Sequence, residues 1–240
     1  MNRYKYKIQY QDIDGNSKLR LYTLENMILN SAGLNADELG IGVQYLSQQN
    51  CTWVLISLAL EINYLPTQGE TLEVETWIEQ NMHALSMRNY RFYVDNRQVG
   101  VAHSVWAVID LTTRAITNIF EQEAFLKIPQ GEQVDVSKTP RMMKVAEQSG
   151  EWQHEIVYSD IDYNGHCNSC KYLEFMLNSC TPEFLTQPLR VDLRYQHEVK
   201  KGEHVKVLFE KKDSQITYEI FTDKGELSAN GRIQKLNVQS

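Results

Sequence analysis

The sequence predicts an α+β fold built twice in tandem, each half a long helix wrapped by a curved antiparallel sheet. The stretch from Gln11, Q-D-I-D-G-N-S-K-L-R-L-Y-T-L-E-N-M-I-L-N-S-A, lines up without gaps on that from Ser159, S-D-I-D-Y-N-G-H-C-N-S-C-K-Y-L-E-F-M-L-N-S-C. The chain is therefore a duplication. In each copy an apolar helical pattern follows this loop, and a run of strand patterns follows the helix. A helix apolar over so wide an arc has to be covered by its own sheet, which is the hotdog arrangement, and two copies make a double hotdog. Two unrelated α+β lobes are the alternative, which the ungapped repeat disfavours.

The elements follow in order. The first helix should end near Gly33, with a turn region at 35–42. Residues 53–64 are apolar on both faces, as in a strand buried in mid-sheet. A turn at 66–69 follows, and then Leu72, Val74, Thr76 and Ile78 alternate with Glu73, Glu75 and Glu79. Strand patterns at 86–94 and 99–111 are joined by an Asp95-Asn96 hairpin. Residues 130–150 are polar and aperiodic, a linker between a first half at 1–129 and a second at 151–240. After its helix the second copy shows strand patterns at 189–197, 204–210, 216–222 and 227–236.

Composition excludes several classes. With 42% hydrophobic and 23% charged residues among 240, the chain reads as soluble and globular, with ample material for a core. A formal net charge of -7 argues against nucleic acid as the main partner. Four cysteines, at 51, 167, 170 and 180, are no disulfide framework in a chain this long, and a reducing cytoplasm is the simpler expectation. The start, M-N-R-Y-K-Y-K-I-Q-Y, has no apolar core of a signal peptide. No apolar run approaches the ~20 residues that span a bilayer, so membrane insertion is not expected.

Chemistry concentrates in the loop of the second copy. Asp160, Asp162, Asn164, His166 and Asn168 recur at every second position through a segment holding the turn dipeptide Asn164-Gly165, directly ahead of the buried helix. A helix N-terminus offers unpaired N–H groups and a partial positive charge to a developing oxyanion. Carboxylate, carboxamide and imidazole at such a place make a candidate hydrolytic or isomerising site. Asp and Asn are equally ordinary turn and cap residues. The first copy keeps Asp14 and Asn16 but has Lys18 in place of His166, so the fold does not require the imidazole. Cys167-x-x-Cys170 lacks the second ligand pair of a structural zinc site. Trp53, Trp77, Trp106 and Trp152 read as core or pocket walls.

These motifs resemble the acyl-acyl-carrier-protein thioesterases of plants and bacteria, over nearly the whole chain. The second-copy loop is similar to the family's S-D-x-D-x-N-x-H-x-N-x-x-x-Y motif, and L-R-Y-Q-H-E-V, ending at Val199, to its later strand motif ending in Glu-Cys. In the first copy, E-I-N-Y-L-P-T-Q-G-E-T-L-E-V-E-T-W and S-V-W-A-V-I-D-L-T-T-R-A resemble the corresponding strands. The resemblance implies hydrolysis of fatty acyl-acyl carrier protein in fatty acid biosynthesis. Acyl-loaded carrier protein is then the partner, and no metal or organic cofactor is implied. Monomer and homodimer stay open.

Carried over residue by residue, it makes Asp162, Asn164, His166 and Glu198 catalytic. Val199 stands where plant members have a cysteine once proposed as nucleophile, which puts a cysteine mechanism in doubt. Strict alternation puts Glu198 on the face of Arg190, Asp192, Arg194 and Gln196, so a bulge or strand end is needed to turn it toward a site, with His197 as the fallback. The first copy, lacking the histidine, is expected to hold the acyl tail at Trp53, Val54, Leu55 and Ile56. Docking of an acidic carrier on an acidic chain needs a local basic patch, for which Arg141, Lys144, Arg190, Arg194, Lys200 and Lys201 are the candidates. An acyl-CoA thioesterase and a non-catalytic acyl-thioester-binding module are the alternatives.

Overall fold

The computed structural model describes residues 2–185 and 188–236. Strand β1 (Asn2–Lys7) and a 3-10 turn (Tyr10–Asp12) lead through the loop into helix α1 (Leu21–Glu38). A short helix α2 (Val43–Ser47) precedes four long strands, β2 (Cys51–Ile62), β3 (Thr71–Met82), β4 (Leu85–Val94) and β5 (Arg97–Asp110), and a one-turn helix α3 (Glu123–Leu126). The second copy repeats the order: β6 (Gly150–Glu155), a 3-10 turn (Tyr158–Asp160), α4 (Ser169–Leu177), the short α5 (Pro182–Leu185), then β7 (Leu189–Tyr195), β8 (His204–Lys212), β9 (Gln215–Thr222) and β10 (Leu227–Lys235).

All strands join one ten-stranded antiparallel sheet, ordered β1-β3-β4-β5-β2-β7-β10-β9-β8-β6. The order reads as two equivalent halves meeting at its centre, where Ser57–Ile62 of β2 pair with Leu189–Arg194 of β7. This is the double hotdog, with α1 and α4 against each other on the inner face. Leu21, Leu24, Ile28, Ala32 and Ala36 of α1 are buried at helical spacing, as are Tyr172, Leu173, Phe175 and Met176 of α4. Each large apolar side chain so buried contributes about 1.5–3 kcal/mol.

The duplication extends to single hydrogen bonds. Leu19 N–H donates to Pro66 C=O at 2.8 Å, and Cys167 N–H to Val199 C=O at 2.8 Å. Ile8 pairs with Glu70 and Gly69 as Ile156 does with Glu203 and Gly202. Pro66 is thus the counterpart of Val199, and Leu65 that of Glu198. Asp95 and Asn96 have φ of 49° and 60°, the left-handed pair that a tight two-residue hairpin requires.

One expectation changes, and the linker is bound more closely than its composition suggests. Helix α1 runs five residues past Gly33, because Asn35 and Ala36 are buried and Asn35 Oδ1 accepts a 2.7 Å bond from Arg88. The segment ahead of β6 has no regular structure but is tied across the outer face of the sheet. Trp77 Nε1 and Asn89 Nδ2 donate to Glu132 C=O, Arg190 to Ser137 C=O, Arg194 to Arg141 C=O, and the Val145 and Ala146 N–H groups to Glu219 and Glu210. Gly131 lets it lie flat, since a Cβ there would come within 2.2 Å of the Trp77 ring. The segment is a strap.

Candidate active site

The loop between the 3-10 turn and α4 is shaped by its own side chains. Asp162 Oδ1 accepts from the N–H groups of Asn164 and His166 at 2.8 and 3.2 Å. Asp14 Oδ1 does the same for Asn16 and Lys18, at 2.8 and 3.1 Å. An identical Asx turn in both halves, one without histidine, marks this carboxylate oxygen as a loop-former. Asn168 caps α4, its Oδ1 accepting from Cys170 N–H at 3.0 Å. Asp160 is buried, which alone would raise its carboxyl. Bonds from Val157 N–H and His154, with Lys171 nearby, hold it below the ordinary carboxylate range.

His166 is carried out of this loop with its side chain 16% exposed, and Nε2 stands 3.5 Å from Glu198 Oε2. His166 Nδ1 is buried with no partner in the protein. Glu198 can face the histidine because β7 ends at Tyr195, so strand alternation no longer governs its direction. The Cys167–Val199 backbone bond and the His166–Lys200 bridge bring the two segments side by side. His197 is exposed and spends Nδ1 on Leu227 C=O at 2.8 Å.

The other oxygen of Glu198 is held by Arg114, from the turn after β5 of the first half. Sequence reasoning missed this residue, although it lies within the quoted S-V-W-A-V-I-D-L-T-T-R-A motif; 84 positions separate the partners. In the first half the same place is chemically empty. Lys18 lies 4.8 Å over the Tyr64 ring, and Leu65 replaces the glutamate.

These groups open on a cavity of about 880 Å³. Asp162, Asn164, His166 and Glu198 line one part, and Trp53, Val54, Leu55 and Ile56 of β2 another, with a bulge between Leu55 and Ser57. The structure thus brings together all eight residues expected to bind or act on substrate. The remaining lining includes Trp106, expected as a core or pocket wall, and Asn26, Arg88 and Tyr195, which sequence reasoning did not single out for a site.

The six basic candidates do not form one patch. Arg190 is 5% exposed beneath the strap, bonded to Glu61, Asp192 and Ser137 C=O, so it cannot meet a partner. Half-buried Arg194 is tied to the Arg141 carbonyl, which puts Arg141 and Lys144 on the strapped outer face. Lys200 and Lys201 are exposed and adjoin His166. No cysteine faces Glu198 as a thiolate: burial pushes the Cys167 thiol up to about 12 and Cys170 well above its ordinary value.

Among the described residues no helix is long and apolar enough to cross a membrane, and no group of His, Cys, Asp and Glu could hold a metal ion. Residues 1–125 match the model of the acyl-ACP thioesterase N-terminal domain, and residues 143–235 that of the acyl-ACP thioesterase C-terminal domain. A palmitoyl-acyl carrier protein thioesterase of Cuphea hookeriana is 27% identical over 179 residues, 70% of this chain and 42% of that protein. The chain spans about half the length of the curated relatives it matches. An acyl-ACP thioesterase from Bacteroides thetaiotaomicron superposes with a TM-score of 0.88 at 28% identity, covering 97% of this chain and 96% of that one. A 12:0-ACP thioesterase from Umbellularia californica, at 16% identity and a TM-score of 0.81, covers 97% of this chain and 96% of its own and shares the fold.

Proposed function

The chain belongs to the acyl-ACP thioesterase family, and on that premise we propose that it hydrolyses the thioester of a fatty acyl chain carried on acyl carrier protein, releasing free fatty acid in fatty acid biosynthesis. The observation that carries this reading is the pairing of His166 with Glu198, 3.5 Å apart, at a cavity that continues into the apolar β2 of the other half. Residues 1–129 hold the acyl chain, 130–150 strap the halves together, and 151–240 supply the chemistry.

In this mechanism Glu198 accepts a proton from water, and the water oxygen forms a bond to the thioester carbonyl carbon. His166 orients the water and carboxylate, with Nδ1 the ring atom that the protein leaves free. The Asn164 side chain and the α4 end of the loop face the oxyanion. Collapse of the tetrahedral species breaks the C–S bond. A thiol of pKa ~8.5 departs as thiolate with little help from an acid. Asp162 holds the loop, because Asp14 does so where no chemistry is possible. Arg114 positions Glu198 from the first half, so the site needs both copies.

The test is incubation with acyl-acyl carrier protein and acyl-CoA of equal chain length, with free acid and free thiol quantified. Faster release from the carrier protein supports the proposal. Faster release from CoA makes the chain an acyl-CoA thioesterase, and binding without release makes it a non-catalytic acyl-thioester module.

A further inference from the structure

Arg88 is 4% exposed, on the inner face of β4, and lines the cavity. Nη1 donates to Asn35 Oδ1 at 2.7 Å and to Thr76 Oγ1 at 3.2 Å. Among the described residues no carboxylate lies within ion-pair distance, and Nε and Nη2 have no hydrogen bond within the protein. A buried cation normally has a counter-charge, because removing it from water costs several kcal/mol. The last turn of α1, where Asn35 sits, offsets part of this charge through its carbonyl dipoles. Nε and Nη2, on a side chain that lines the cavity, are left over.

Register puts Arg88 at the end of the cavity remote from the reacting groups. Arg88 pairs with Ser104, Ser104 with Leu58, and Leu58 with Leu193, a row running from β4 through β5 and β2 to β7. Three strand spacings separate Arg88 from β7, about 14 Å along the sheet. The next row joins Ser86, Trp106 and Leu55, all cavity-lining. Near Arg88 the wall turns polar, with Ser86 lining the cavity beside it, while Tyr90 OH and Trp106 Nε1 meet Ser104 Oγ at 2.9 and 2.7 Å just behind. An acyl chain with its thioester at Glu198 and lying across β2 and β5 thus points its far end at a guanidinium with no carboxylate within ion-pair distance.

We propose that Arg88 is a specificity-determining anchor for the far end of the acyl chain, and that the preferred substrates carry an oxygen acceptor there, foremost a terminal carboxylate. The proposal rests on the thioesterase reading above and adds a substrate class to it. A carboxylate completes the fork with two charge-assisted bonds. A methyl terminus would strip the remaining water from the cation and return nothing.

The experiment compares kcat/KM of the wild type on decanoyl, dodecanoyl and tetradecanoyl thioesters of acyl carrier protein with their ω-hydroxy and ω-carboxy counterparts. At the best length the ω-carboxy substrate should exceed the plain one by roughly tenfold or more, with the ω-hydroxy substrate between them. Arg88→Met should abolish or invert this ratio, and Arg88→Lys should retain part of it. Plain chains turned over as well as or better than ω-carboxy chains by the wild type would overturn the anchor, whatever the variants do. Should no thioester be hydrolysed, the functional reading fails instead. Calorimetry of dodecanedioic against dodecanoic acid on the wild type then decides, with tighter diacid binding supporting the anchor and equal binding overturning it.

Discussion

Glu25, on the long helix of the first half, accepts a hydrogen bond of 2.8 Å from the hydroxyl of Tyr195, the last residue of β7 before the loop to Glu198. The carboxyl is fully buried and its second oxygen has no partner. Burial pushes it up to about 8, only partly opposed by the tyrosine bond. The raised group costs nothing while it is protonated in both folded and unfolded chains. Once the unfolded carboxyl ionises, above about pH 4.5, the folded state must keep its proton. Stability then falls with rising pH by about 1.4 kcal/mol per pH unit until the folded group titrates near 8. Glu25→Gln should remove this slope, so urea midpoints of wild type and variant should diverge in the variant's favour between about pH 5 and about pH 8. Parallel curves would mean that Glu25 ionises freely in the fold.

His166→Ala should lower turnover by roughly a hundredfold or more while leaving the unfolding midpoint near wild type, since loss of the group that orients the water and Glu198 misplaces the reacting atoms at about that cost. Lys18→Ala, at the equivalent place in the first half, should leave the chemical step unchanged, because Lys18 touches the Tyr64 ring and no cavity group. Single-turnover rates on one acyl-carrier-protein substrate compare the two directly. Normal chemistry in His166→Ala would remove the histidine from the mechanism.

Much of this was legible in the sequence because the duplication repeats its own turn chemistry. Asp14-x-Asn16 and Asp162-x-Asn164 fix the same loop, so comparing copies exposed His166 as the residue the fold could do without. The direction of Glu198 was not legible, because alternation applies only while the ladder continues and β7 stops at Tyr195. Nor could spacing reveal that Arg114 reaches Glu198, or that a strap over the outer face turns Arg190 from a surface charge into a buried partner of Glu61 and Asp192. Helix α1 outran its expected end because a weak glycine signal lost to burial of Asn35 and Ala36.

No cysteine should prove to be the nucleophile. Cys167 and Cys170 are buried with thiols held well above neutrality, where thiolate is scarce. Replacing Cys51, Cys167, Cys170 and Cys180 by Ala should retain substantial turnover per folded molecule. An acyl-cysteine adduct trapped during turnover and mapped by mass spectrometry would overturn this.

Chain-length preference should respond to β2. Val54, Leu55 and Ile56 line the cavity, and each methylene of substrate buried there is worth ~0.8 kcal/mol, close to fourfold in kcat/KM. Ile56→Ala should move the optimum toward longer chains and Val54→Phe toward shorter ones. Profiles unchanged across the series would place the acyl tail elsewhere in the cavity.

Docking of the carrier should depend on Lys200 and Lys201. Both are exposed and follow Val199 beside His166, whereas Arg141 and Lys144 lie on the strapped outer face and Arg190 is buried. A chain of net charge -7 repels an acidic carrier at long range, so a local cationic mouth has to steer the encounter. Lys200→Glu with Lys201→Glu should raise KM several-fold for acyl-acyl carrier protein and spare a short uncharged thioester, which needs no steering. Because exposed charges are screened within about 10 Å at 0.1 M salt, added salt should weaken the wild type more than the variant. Equal losses on both substrates would show instead that the reversed charges disturb the neighbouring His166–Glu198 pair itself, and docking would have to be sought at another face.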